Sequence, residues 1–231
     1  MASESMTDSA LEDGDIVRVE YTARVADTGR VIDTTDMEVA DDADIADIEA
    51  NGPTAVVLGE GHLFEPVEEA IKAGAVGDSK RVTVEPDDGF GQVDPTDHTH
   101  VDIDLVPEER RERGARLTHD GRTGFIESLD DEGATLNFNH PLAGMAIEYD
   151  LTVQERIEKP LERARAVSQL YGLADELELS FDTPNASSLR ITVSDPTVET
   201  WETEKRRLLA DLRNILSIES VTVVETYGEA L

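Results

Sequence analysis

No cysteine occurs in the 231 residues, which removes disulfides, thiolate metal sites, cysteine nucleophiles and iron–sulfur clusters together. Lysine is scarce, confined to Lys72, Lys80, Lys159 and Lys205, and acidic residues outnumber basic ones 52 to 20 for a formal charge of −32. Phosphate backbones are bound through lysine and arginine, so no nucleic-acid partner is expected. Long apolar runs are missing too. The longest stretch free of charged side chains, Gly133 to Ile147, has 15 residues and contains Asn137, Asn139 and Pro141, so no membrane span is expected. The amino-terminal MASESMTDSALEDGD lacks a basic start followed by an apolar stretch. A secretory signal is therefore not expected, and the cytoplasm is the expected compartment.

What remains is enough to fold, because 39% of the chain is hydrophobic and its apolar residues recur in regular patterns. A folded chain with this much negative charge fits adaptation to multimolar salt, where screening contracts to ~3 Å and self-repulsion becomes tolerable. A halophilic setting is expected.

Residues 1–13 are small and polar and read as a disordered tail. From Ile16 the chain alternates, with Val17, Val19, Tyr21 and Ala23 on one side, as in a half-buried strand. Asp27-Thr28-Gly29-Arg30 predicts a turn into a second arm at Val31-Ile32-Asp33, followed by an acidic surface excursion over 34–52. Val56-Val57-Leu58 predicts a short strand. Leu63, Val67, Ala70 and Ile71 predict a helix, with Pro66 in its first turn and Gly74 at its end. Residues 81–85 and 147–153 alternate again, and the latter strand is expected to complete the first sheet. Between Asp94 and Asn139, Asp120-Gly121 and Glu132-Gly133 separate strand candidates at 124–128 and 134–138, which predicts a small inserted β domain. Beyond Pro160 the order is helix, strand, strand, helix and strand, with Asp195-Pro196 expected to cap the long helix that carries Trp201. The expected fold class is α+β: an antiparallel half-barrel around one short helix over 14–93 and 140–157, the insert over 94–139, and a C-terminal α+β sandwich over 160–231.

Catalytic motifs are thin. There is no nucleophile elbow, P-loop or dinucleotide fingerprint. His98-Thr99-His100, flanked by Asp97 and Asp102, is the only cluster that could hold a metal, and solvated loop histidines explain it more simply. No metal or cofactor is expected. More distinctive in a chain with only 4% aromatics is a set of apolar residues beside turns and strand ends with one acid among them: Tyr21, Ile32-Asp33, Val56, Leu63-Phe64, Phe90 and Tyr149. Each, taken singly, also fits a core residue.

Six segments, Val19-Glu20-Tyr21-Thr22, Gly29 to Thr35, Val57 to Gly61, Val76 to Val82, Gly89-Phe90-Gly91 and Asn139 to Gly144, occur in the order seen in FKBP-type peptidyl-prolyl isomerases. Over about residues 14–155 the chain resembles that family, and specifically its SlyD-like archaeal long form. The resemblance implies catalysis of X–Pro isomerisation in a proline pocket. Tyr21, Asp33, Phe90 and Tyr149 would be its catalytic positions, and Ile32, Val56, Leu63, Phe64 and Val67 its substrate-binding ones. Two positions depart from many relatives. Val67 replaces a tryptophan floor, and Phe90 replaces a tyrosine whose hydroxyl can bond a substrate carbonyl.

The resemblance also implies an insert-in-flap chaperone domain holding unfolded or nascent polypeptides. Phe125, Ile126, Leu136 and Phe138 are candidates for its exposed apolar surface, or alternatively for the core of a small domain. Long archaeal relatives use such a C-terminal domain for dimerisation, so a homodimer through 160–231 is expected, with Trp201 open as core or interface. The leading reading is a prolyl isomerase with attached holdase activity. The alternative is a binding-only chaperone with a vestigial pocket.

Overall fold

A computed structural model describes residues 10–43, 52–182 and 185–227. The chain begins with β1 (Ile16–Val25), β2 (Val31–Thr34), α1 (Met37–Asp42), β3 (Thr54–Val57), α2 (Glu65–Lys72) and β4 (Ser79–Val84). Next come β5 (His98–Asp102), β6 (Arg116–His119), β7 (Arg122–Leu129) and β8 (Gly133–Asn137). The last part contains β9 (Ile147–Arg156), α3 (Pro160–Gln169), β10 (Leu177–Phe181), β11 (Ser188–Val193), α4 (Glu199–Ile215) and β12 (Ser220–Glu225).

The first sheet is antiparallel, in the order β2-β1-β9-β4, and β3 also pairs with β1. β2 takes the Thr22–Arg24 end of β1 and β3 takes the Ile16–Val19 end, so the sheet curls around α2. Its inner face sends Val17, Val19, Ala23, Ile147, Leu151 and Val153 onto Val67 and Ile71 of α2. The outer face at the β3 end is covered as well, because Ile16, Ala55, Val57 and Ile157 join a core with Ala164, Val167, Trp201 and Leu208. Burial on both faces explains why Ala55 to Leu58 reads as a continuous apolar run instead of alternating. Arg163 reinforces this junction, donating through Nη2 to the carbonyls of Gly14 (3.1 Å) and Ile215 (3.2 Å).

The second sheet, β5-β8-β7-β6, is antiparallel and pairs only within itself among the described residues. Two of its four strands were not expected from the sequence. β5 (HTHVD) and β6 (RLTH) are edge strands with little apolar content, and polar edges carry a weak periodic signal. Asp120 and Gly121 both have positive φ (49° and 76°), as a two-residue hairpin turn between β6 and β7 requires. Where the chain leaves and re-enters, the Asp94 N–H donates to Asn139 Oδ1 (2.7 Å) and Asn139 Nδ2 donates to the Asp94 carbonyl (2.9 Å).

The third sheet, β10-β11-β12, places β11 antiparallel to β10 and parallel to β12, with α4 as the crossover. Trp201 is fully buried and its Nε1 donates to Glu225 Oε1 (2.8 Å), which makes it a core residue. Asp195 does not cap α4. Its Oδ1 accepts from the Thr197 N–H and hydroxyl in a turn, and Val198 is the helix-capping residue. The expected tail over 1–13 is also shorter. Residues 1–9 lie outside the described residues, but Leu11 is buried in the first core and Asp13 pairs with Lys72 at 2.9 Å.

Replacing residues 95–138 by a short linker is expected to leave the first and third sheets folded, because they share no ladder with the second and its ends already meet at Asp94 and Asn139. Amide chemical shifts of Val19, Tyr149 and Ile191 report the result. Their collapse to unfolded values would contradict it.

Candidate active site

Tyr21 lies on the inner face of β1, directly across from Leu151 and diagonal to Tyr149, which faces Ala23. That register brings the two phenol rings to 5.7 Å, tilted by 46°. The returning β2 segment then fixes Tyr21 from three sides. Thr35 Oγ1 accepts from the Tyr21 N–H (2.9 Å), and the Thr35 N–H (3.0 Å) and the Thr34 hydroxyl (3.2 Å) donate to its carbonyl. With the backbone held, the Tyr21 hydroxyl donates to Asp33 Oδ2 at 2.7 Å, a short charge-assisted bond.

The opposite wall is built at the start of α2. Phe64 is its N-cap residue and has no side-chain cap bond, so order there comes from Glu68. This buried carboxylate accepts from the Gly59 N–H (2.9 Å) and the Leu63 N–H (3.4 Å), tying the 59–63 turn to the helix. Gly59 sits at φ 86°, and a Cβ there would meet Asp13 at 2.9 Å, so only glycine fits this turn. Leu63 and Phe64 consequently face the sheet, above the fully buried Val67. Phe64 meets Phe90 edge-on at 5.2 Å and Tyr149 at 6.4 Å. Phe90 follows a 3₁₀ turn over Pro86–Asp88 and is backed by His140, whose ring stacks parallel to it at 4.3 Å.

Tyr21, Ile32, Val56, Leu63, Phe64, Val67, Phe90 and Tyr149 therefore belong to one apolar cluster, with Asp33 attached through the Tyr21 hydroxyl. Thr34, Thr35, Glu68 and His140 complete this arrangement and were not singled out from the sequence. A Ser/Thr pair directly after the pocket acid was the available signal for the first two. Glu68 and His140 act through contacts that no spacing reveals.

Burial, and then the nearby Asp33 carboxylate, push the Tyr21 phenol well above the usual tyrosine range. The same two causes push Tyr149 up to about 12. Both hydroxyls stay protonated at neutral pH, so Tyr21 remains a donor to Asp33. What results is an apolar aromatic cluster, half-exposed at Tyr21, Phe64 and Phe90, with one carboxylate held by a phenol, able to contact a neutral chain without a nucleophile.

The candidate chaperone residues divide. Ile126 and Leu136 are 1% and 0% exposed and form the core of the second sheet with Val101, Val106 and Ala134, so they offer no surface. Strand alternation turns Phe125 to the other face, half-buried beneath Arg116 at 5.4 Å, and Phe138 packs under Arg122 at 4.3 Å. His98 lies on β5 rather than in a loop, with Nε2 3.1 Å from Glu127. Among the described residues no group of three or more His, Asp and Glu side chains is placed to hold a metal ion.

The antiparallel sheet curled around a short helix thus carries the aromatic cluster on its inner side, next to the start of that helix. Residues 7–139 match the model of the FKBP-type peptidyl-prolyl cis-trans isomerase family, and the chain belongs to that family. β9, which carries Tyr149, lies beyond the matched span. The chain is 33% identical over 152 residues to a short-type peptidyl-prolyl cis-trans isomerase of Methanocaldococcus jannaschii, covering 63% of this chain and 93% of that protein. Over 119 residues it is 32% identical to the FKBP-type 16 kDa isomerase of Escherichia coli, covering 48% and 79%. It is also 28% identical over 118 residues to the FKBP-type isomerase SlyD of Haemophilus influenzae, covering 49% and 62%.

The tyrosines give a pH test. All four are raised, Tyr171 to about 12 by burial and then Asp211, and Tyr227 by its bond to Glu225. Tyrosinate absorbance of the folded protein is expected to stay flat through pH ~10, where free tyrosine ionises. Stability held by the neutral phenols is complete below about pH 10 and is lost as pH rises through about 12, the folded value of Tyr149 and Tyr171. Ionisation of more than two of the four tyrosines near pH 10 with the fold intact would require Tyr21 or Tyr149 to titrate there and would contradict the site geometry.

Proposed function

We propose that the Tyr21–Asp33–Phe64–Phe90–Tyr149 cluster is the proline site, and that residues 94–139 hold unfolded client chains beside it. The observation that carries the first part is the convergence of seven apolar residues from separate strands, turns and a helix onto Tyr21, the phenol that bonds Asp33. Rotation about an X–Pro amide faces a barrier of ~18–20 kcal/mol because resonance keeps the bond planar. A surface that binds the twisted amide better than either planar form lowers that barrier by differential binding, and excluding water disfavours the charge-separated planar form. Asp33, held by Tyr21, orients the chain. Val67 in place of a larger ring makes the floor wide, and Phe90 contributes packing but no hydroxyl.

For the second part, Phe125 and Phe138 are the half-buried aromatics of the β5–β8 sheet, and Phe125 lines a hollow of about 370 Å³ shared with Val93, His140 and Pro141. A client held there lies close to Phe90 through its stacking partner His140. The SlyD resemblance supports this reading, as the long-form resemblance supports a homodimer through 160–231. Composition supports a halophilic cytoplasm.

Replacing Tyr149 with Ala is expected to slow catalysis of proline-limited refolding by about 5- to 150-fold, on the order of 1–3 kcal/mol, with aggregation suppression unchanged. Unchanged isomerase rates would favour the binding-only chaperone, which the missing Phe90 hydroxyl also favours. Dilution from molar to ~0.1 M salt lengthens screening from about 3 Å to about 10 Å, and circular dichroism should then show loss of structure. An unchanged spectrum would remove the halophile reading.

A further inference from the structure

The chain that follows α3 returns to the isomerase face. Leu170 and Tyr171 join Tyr21, Val56, His62 and Leu63 around a cavity of about 400 Å³, within the roughly 300–1,000 Å³ range of small-ligand sites. Three of these residues belong to the proposed proline site, and two come from the element that opens the C-terminal part of the chain. A second hollow of about 620 Å³ shares Tyr21 and Thr54 and runs between Asp33 and the segment containing Gly172, Ala174 and Asp175. The segment from Gln169 to Asp175 thus borders Tyr21 on both sides.

This wall is fixed in place. The Tyr171 hydroxyl donates to Asp211 of α4, which occupies the polar end of the side chain, while Leu170 and Tyr171 both pack against the C-terminal core. Gly172 takes φ 67° to end the helix, a conformation that glycine adopts without strain and that turns the chain back along the rim. On the facing wall, His62 Nδ1 accepts from the Val57 N–H at 3.1 Å, and Thr54 adds a second polar side chain to a rim otherwise lined by Ala55, Val56 and Leu63.

We propose that Leu170 and Tyr171 form a substrate subsite for an apolar side chain flanking the proline, so that residues 160–231 take part in selecting the peptide. The proposal rests on the proline-site assignment above. Adjacent residues of an extended chain are only ~3.3–3.6 Å apart along it, so a cavity sharing Tyr21, Val56 and Leu63 with that site receives a near neighbour of the proline. Aliphatic and aromatic walls select leucine, phenylalanine and their like over glycine, alanine or acidic residues.

The test uses the full chain in molar potassium chloride with two sets of proline peptides, varied through Gly, Ala, Leu, Phe and Glu before the proline in one and after it in the other. In one set kcat/KM is expected to rise about fivefold or more from Ala to Leu, and the set that responds identifies the side of the proline that enters the cavity. Leu170→Ala and Tyr171→Ala should each reduce that Leu/Ala ratio at least threefold, and Tyr171→Phe, which keeps the ring, should restore it. A Leu/Ala ratio preserved in both alanine variants, or no preference in the unmodified chain, overturns the subsite and leaves the isomerase reading standing. Absence of any catalysis by the unmodified chain counts against the proline-site reading itself. Independently of folding in the variants, a peptide carrying photo-leucine at the responding position should form adducts on residues 169–175 of the unmodified chain. Adducts confined to other segments would overturn the proposal.

Discussion

The pairing of β1 with β9 is the constraint on which the rest of the molecule depends. Among the described residues β1 is the only strand that pairs with β2, β3 and β9 together, and its two faces serve two cores. Inward, Val17, Val19 and Ala23 cover α2; outward, Ile16 helps to roof the core built around Trp201. Tyr21 and Tyr149 become diagonal neighbours on one face only when this register is correct, and a one-residue slip would turn either ring to the opposite face. Because β9 follows the entire second sheet in sequence, the site is completed by a long-range contact, and the Asp94–Asn139 hydrogen bonds hold the ends of the excursion together.

The chemistry needs no charged catalyst, and the structure keeps the abundant acid away from the reacting surface. The acid of the proposed site, Asp33, is bonded to Tyr21, and the other buried carboxylates have structural partners: Asp15 bonds Arg156 at 2.7 Å and Glu68 bonds the 59–63 turn. The remaining ion pairs, such as Arg81 with Asp150, are largely exposed and individually weak. The negative charge is thus a property of the surface, where salt screens it, while the pocket depends on packing that salt strengthens through the hydrophobic effect.

Much of the half-barrel was legible because its strands alternate or form short apolar runs between glycine turns, as in Ile16–Val25 and Ile147–Arg156. The pocket residues were legible only through ordered motifs, since Tyr21 and Phe64 alone look like any core aromatic. What stayed hidden was of two kinds. Edge strands β5 and β6 carry too little apolar signal to be seen, and polar anchors such as Thr35, Glu68 and His140 act through contacts distant in sequence. Ile126 and Leu136 were misplaced among surface candidates because a four-stranded sheet needs them as its core, a requirement invisible while only two of its strands were recognised.

The central claim is that the aromatic cluster around Tyr21 and Tyr149 accelerates rotation about a prolyl bond rather than merely retaining the chain. Magnetisation exchange between the cis and trans resonances of a short proline peptide, with catalytic amounts of the protein in molar salt, tests it directly. The account predicts exchange cross-peaks that appear on addition of the protein and disappear when Tyr149 is truncated. Peptide resonances that shift on binding while cis and trans forms fail to exchange would contradict it.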